Sequence, residues 1–185
     1  MFTNFKVRTK LIILTVVAGL ALCIIGFMNM NSMEKSYFQS VSSMREMLYE
    51  DYDAQIMGQV ENVIALLNEI YTECQNGAFT EQEAKKQAAD LVRELRYGES
   101  GYFWIDTYEG DNIVLLGQEI EGTNRLETED SNGYQMIKDI LKNGRQEGGG
   151  FTEYYYPKEG SSEVYPKRAY SKAFEPWEWV IGTGN

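Results

Sequence analysis

Histidine is absent from all 185 residues of the chain. With it go the commonest general base, the commonest transition-metal ligand and the one side chain that titrates unperturbed near neutral pH. Cysteine is nearly as scarce: Cys23 and Cys74 are the whole supply, and Cys23 falls in an apolar run read below as a membrane span. An internal disulfide or a thiolate metal site is therefore not expected. Acid is missing where base is present. Residues 1–30 carry Lys6, Arg8 and Lys10 and no Asp or Glu, so the rest hold 14 of the 17 basic groups against all 28 acidic ones, a formal balance of −14. No long basic cluster offsets this, which argues against a nucleic-acid partner, because phosphate binding needs a positive footprint.

What is present first is an apolar run. Residues 11–28 contain no charge, and eighteen residues at helical rise cover roughly 27 Å, close to the hydrocarbon thickness of a bilayer. Phe27, Met28 and Met30 stand at its end where a cleaved signal would carry small residues, so the run reads as a transmembrane helix over residues 11–30. Base before it and acid after it place residues 1–10 in the cytoplasm and residues 31–185 outside.

Beyond the span, apolar residues recur in steps of three or four from Tyr37 through Leu48, Ile56 and Val63 to Ile70. That spacing predicts one face of a very long helix continuing the membrane helix, used for core packing and as a seam for a second copy in a homodimer. Asn76-Gly77 ends it, and Thr80 with Glu83 gives a capping box for a second helix running to Gly98. After Gly101 the texture changes to short β-rich runs separated by turn residues, about five strands, with "YQMIKDILKN" as an intervening amphipathic helix closed by Gly144. This order fits an α+β domain, an antiparallel sheet with helices on one side.

Strand alternation puts Tyr102, Trp104 and Asp106 on one face and Phe103 and Ile105 on the other, and puts Tyr154 and Tyr156 opposite Tyr155. Phenol hydroxyls and an indole N–H give an apolar pocket a few directed donors, if the segment 117–143 roofs that face; otherwise these aromatics fill the sheet's core. In so acidic a domain an anionic ligand needs local positive charge, and Lys167, Arg168, Lys172, Arg93 and Arg96 are the available cations. Asp106, Glu109, Asp111 and Asn112 lie close together but lack the calcium-loop spacing. The acidic segment Glu119 to Asp130 supplies carboxylate pairs without any sequence reason for a raised pKa, so an enzyme is not expected. No metal and no cofactor is implied.

"GYFWID", "EGTNRLETEDSNGYQMIKDILKNG", "GGGFTEYYYPKEG" and "PKRAYSKAFEPWEWVIGTG", in that order and spacing, resemble the single Cache domain of bacterial receptors, over roughly residues 31–184. The resemblance implies a PAS-like sheet on a long membrane-proximal helix. It implies an extracytoplasmic sensor, for chemotaxis or other signal transduction, that binds a small metabolite, often a short carboxylate. The alternation and the resemblance together predict the wall residues Tyr102, Trp104, Tyr154, Tyr156, Lys167 and Tyr170, with Lys167 where the resemblance puts a recurrent lysine just before Tyr170. A second membrane span is implied beyond Asn185. One departure stands out: many relatives carry a Met-His-Pro-like stretch where this chain has Leu115-Leu116-Gly117, so the ligand contact made by that histidine does not carry over. A dimerisation or protein-docking module without a small ligand is the alternative reading.

Overall fold

The computed structural model describes residues 6–157 and 163–184; the expected turn at residues 158–162 and the terminal Asn185 lie outside them. Helix α1, Val7–Gln75, comes first, uninterrupted by proline, which the sequence lacks before Pro157. The chain divides into two compact units, Met1–Asp51 and Tyr52–Asn185. In the first, the stretch Val7–Met28 has mean hydropathy 2.8 and is long and apolar enough to cross a membrane. Tyr37, Phe38, Val41, Met44 and Leu48 are exposed there. The stripe read from the sequence thus changes character along its length, since Ile56, Val60, Val63, Leu67 and Ile70 are buried in the second unit.

In that second unit α1 stops at Gln75, and Gly77 takes a left-handed φ of +84° that a side chain would disfavour. Helix α2, Glu81–Glu94, opens on the expected capping box: the Glu83 amide donates to Thr80 Oγ1 at 3.3 Å and the Thr80 amide to Glu83 Oε2 at 2.9 Å. These bonds to Thr80 hold the Glu83 carboxyl below its ordinary pKa. Its C-terminal end corrects the sequence reading. Leu95 is already extended, Arg96–Tyr97 form strand β1 against Tyr102 and Gly101, and Gly98 turns that hairpin at φ +57° rather than capping the helix.

Strands β2 (Gly101–Thr107), β3 (Asn112–Leu115), β4 (Gly150–Pro157), β5 (Val164–Phe174) and β6 (Trp179–Gly184) complete the sheet. The observed count is six because the two-residue β1 is too short to leave a periodic signal. The order is β1-β2-β6-β5-β4, with β3 pairing β2 along the edge opposite β6, and every pair is antiparallel. The last strand therefore lies in the middle.

Helix α3, Met136–Gly144, corrects the expectation of helices on one side. One core cluster joins Ile56, Val60, Val63, Leu67, Ala88 and Val92 of α1 and α2 to Phe103, Ile105, Phe174, Trp179 and Ile181. A separate cluster joins Met136, Ile137, Ile140 and Leu141 of α3 to Tyr102, Trp104, Leu115, Tyr154 and Val180. Neighbouring residues of one strand enter different clusters, so the sheet is covered on both faces, as period-two alternation requires of a strand buried throughout.

Candidate functional site

The α3 face holds the polar groups. Tyr102 and Trp104 project from β2 onto it, and Trp104 has its place because Gly182 is its partner on β6: a Cβ at Gly182 would stand 2.4 Å from the indole ring. Tyr154 comes from β4 and Lys167 from β5, opposite one another in register. Tyr154 and Tyr156 meet edge to face at 6.1 Å, while Tyr155 is exposed on the other side of the strand. Met136, Ile137 and Ile140 of α3 close the cluster from above and Leu115 from the side, leaving a chamber of about 10 Å3 lined also by Arg125. That is room for about one water.

Lys167 is 7% exposed. Its Nζ donates to Tyr102 Oη at 2.8 Å and lies 4.4, 5.2 and 5.7 Å from the ring centroids of Tyr102, Trp104 and Tyr156. It makes no ion pair with a carboxylate among the described residues. Burial, and after it the positive Arg125, bring its pKa down to about 7. Aromatic rings thus surround a desolvated amine, and a charge-assisted hydrogen bond to its ammonium form would restore what burial removes. Trp104 adds a buried indole Nε1–H that has no hydrogen-bond partner among the described residues.

Arg125 is the group the sequence reading missed. It reaches in from the segment after β3 and makes a fork to Asp106 of β2, Nε to Oδ1 at 2.6 Å and Nη2 to Oδ2 at 2.5 Å, with the two side chains 6% and 0% exposed. Asn112 Nδ2 donates to the same Asp106 Oδ1 at 2.9 Å. Burial works against the Arg125 charge, and Asp106 outweighs it, so its pKa lies above the ordinary value. Burial pushes the Tyr154 phenol well above its usual range, so it stays a neutral hydroxyl. The available signal was Asp106 on the same strand face as Trp104, facing the one arginine of an acidic segment.

The other expected residues divide. Tyr102, Trp104, Tyr154, Tyr156 and Lys167 come together, whereas Tyr170 does not. It belongs to the α1/α2 cluster, packs 5.1 Å from the Phe151 ring and donates its hydroxyl to the Gly148 carbonyl. An odd spacing of three residues from Lys167 puts it on the opposite face. Arg168 and Lys172 leave β5 on that face too and pair with Asp53 and Glu61. Arg93 pairs with Asp90 and Glu121, and Arg96 donates to the Arg93 and Leu95 carbonyls. Of the acidic group considered for calcium, Asp106 is committed to Arg125 and Asp111 accepts from Asn124; among the described residues no three His, Cys, Asp or Glu are grouped to hold a metal.

With that geometry in view, the decisive comparison is the match of residues 48–185 to the family model of Single Cache domain 2. The chain belongs to this family. Single Cache domains of this kind are sensory receptor domains rather than catalytic ones. Two curated relatives are full receptors. The sensor histidine kinase MctS of Rhizobium johnstonii is 27% identical over 146 residues, 78% of this chain and 31% of its own length. The methyl-accepting chemotaxis protein McpP of Pseudomonas putida is 31% identical over 110 residues, 58% of this chain and 20% of its own. The chain thus spans about a third or less of the relatives it matches. Among solved structures, a periplasmic sensor domain of a chemotaxis protein superimposes with a TM-score of 0.71 at 29% identity, covering 75% of this chain and 96% of that one. A Cache chemosensory domain described for carboxylic acid recognition does so with a TM-score of 0.71 at 28% identity, covering 76% and 96%. The PAS-like architecture, a long helix against an antiparallel sheet, is the Cache fold.

Proposed function

We propose that this Cache domain is the extracytoplasmic ligand-sensing part of a transmembrane receptor, and that its ligand is a small organic carboxylate held between the sheet and the α3 roof. Residues 1–10 lie in the cytoplasm, 11–30 span the membrane and 31–185 form the sensor. The wall residues are Tyr102, Trp104, Tyr154, Tyr156 and Lys167. Lys167 carries the proposal: a buried ammonium that finds aromatic rings and a phenol but no carboxylate among the described residues lacks its counter-ion, and a carboxylate ligand is the natural one. Carboxylic acid recognition by a related Cache domain supports the same chemistry. Aliphatic Leu115, Met136, Ile137 and Ile140 on the remaining walls favour an apolar tail over a second charge.

A chamber of about 10 Å3 must widen to admit such a ligand, so binding selects a packing of roof and sheet different from this one, and that difference is the signal. The same narrowness favours the second reading, a dimerisation or docking module whose pocket is filled by its own side chains. Thermal unfolding of the full chain in detergent, with propionate, succinate, glycine and glycerol in turn, separates the two. Propionate at about a hundredfold excess over its dissociation constant should raise the midpoint by about 5–10 °C, and Lys167→Ala should abolish the rise. If no compound moves the midpoint, the docking module is the function.

A further inference from the structure

We infer that Arg168 is the positioning residue through which ligand binding at Lys167 is tied to helix α1, an inference that rests on the ligand site proposed above. Lys167 and Arg168 are consecutive on β5 and leave it on opposite faces. Lys167 enters the aromatic cage. Arg168 forks onto Asp53 of α1, Nε to Oδ1 at 2.7 Å and Nη2 to Oδ2 at 2.7 Å, with a third bond to Glu153 of β4 at 2.6 Å. Its guanidinium carbon lies 4.5 Å from the centroid of the Phe151 ring. Beside Asp53 in the helix, Tyr52 Oη donates to the Arg168 main-chain carbonyl at 2.9 Å. One turn of α1 is thereby fastened to both the side chain and the backbone of the residue that follows Lys167.

A second tie shows that helix and strand run in step. Lys172 pairs with Glu61 at 2.5 Å. From residue 168 to 172 a strand advances about 13 Å, and from 53 to 61 a helix advances about 12 Å. Of the two ties, the Arg168 fork is the more sensitive to displacement. Two parallel bonds demand that guanidinium and carboxylate stay coplanar, and a slide of about an ångström takes a 2.7 Å contact out of hydrogen-bond range.

Binding supplies the slide. The chamber as it stands accepts about one water, so a carboxylate of several heavy atoms must part its walls, and Lys167, bonded to the wall residue Tyr102 and opposite the wall residue Tyr154 in register, is displaced with them. A planar peptide hands that displacement on to Arg168. Chamber widening and the Asp53 fork therefore oppose each other: ligand loosens the fork, and by reciprocity the fork weakens ligand binding.

The test uses the full chain in detergent, with propionate as probe, reading affinity by calorimetry and amide exchange over residues 52–61. In the wild type, propionate should speed exchange in that segment. Asp53→Asn, and Arg168→Lys, which keeps the charge but not the fork, should each bind propionate about fivefold tighter and lose the exchange response. Glu153→Gln, which leaves the fork intact, should match the wild type in both. A merely structural Arg168 would change stability without removing a ligand-dependent response. Wild-type affinity and a retained response in both Asp53→Asn and Arg168→Lys overturn the inference, as does wild-type binding with no response over 52–61. Failure of the wild type to bind propionate overturns the ligand reading instead, and the inference falls with it.

Discussion

The two faces of the sheet are built from the same strands by opposite rules. Toward α1 and α2 the buried surface is aliphatic and aromatic, from Ile56 and Leu67 to Phe103 and Trp179, and its ion pairs stand at the margin, with Arg168 and Asp53 28% and 21% exposed. Toward α3 the charges are inside: Asp106, Arg125 and Lys167 are all buried. Burying charge is costly unless it is paired and hydrogen-bonded. Asp106 and Arg125 meet that condition and Lys167 meets it only partly. The difference separates a face that stabilises the domain from one whose remaining polar demand is left for something else to satisfy.

The largest effect expected comes from breaking the paired half of the α3 face. Arg125→Ala leaves Asp106 buried without its partner and should cost about 3–5 kcal/mol in urea unfolding, whereas Asp106→Leu with Arg125→Met, which makes this face resemble the other, should be near neutral. Equal losses in the single and double variants would show that the pair itself, not the orphaned charge, matters. A smaller loss should follow Gly182→Ala. Its Cβ would meet the Trp104 ring at 2.4 Å and should cost about 1–3 kcal/mol with a shift in tryptophan emission; unchanged emission would mean the indole does not move. An effect small per pH unit, though it accumulates across the range, sharpens the comparison at Lys167. Unfolded, this lysine keeps its proton to its ordinary value of 10.5, but folded only to about 7, so between those values the unfolded state binds more protons. Stability from this group therefore rises with pH across that window, by at most about 1.4 kcal/mol per pH unit. Lys167→Met should flatten that slope in melting curves taken from pH 7 to 10, and an unaltered slope would assign it to other groups.

Much of this contrast was legible in the residues. The Thr80–Glu83 box, the β-rich runs after Gly101 and the alternation separating Tyr102 and Trp104 from Phe103 and Ile105 depend on neighbours a few positions apart, and periodicity reports these directly. What was not legible depends on distant partners. Asp106 and Arg125 are nineteen positions apart and meet only when the segment after β3 folds over the sheet. Periodicity says that α3 has an apolar face but not which side of the sheet takes it. Strand β1 exists only because Tyr102 and Gly101 offer it an edge. The placing of Tyr170 beside Lys167 followed the family resemblance where the two-residue period already pointed elsewhere.

Strand β6 is the last of the six to leave the ribosome, yet it stands between β2 and β5, with all six of its residues buried. Until Trp179–Gly184 emerges, a nascent chain holds two half-sheets with facing unpaired edges and neither core sealed, the condition in which exposed strand edges aggregate. Closure of this sheet therefore waits until β6 has been made. A substitution that slows insertion of β6, at Gly182 or Gly184 above all, should reduce the yield of folded protein more than its effect on the finished domain would indicate.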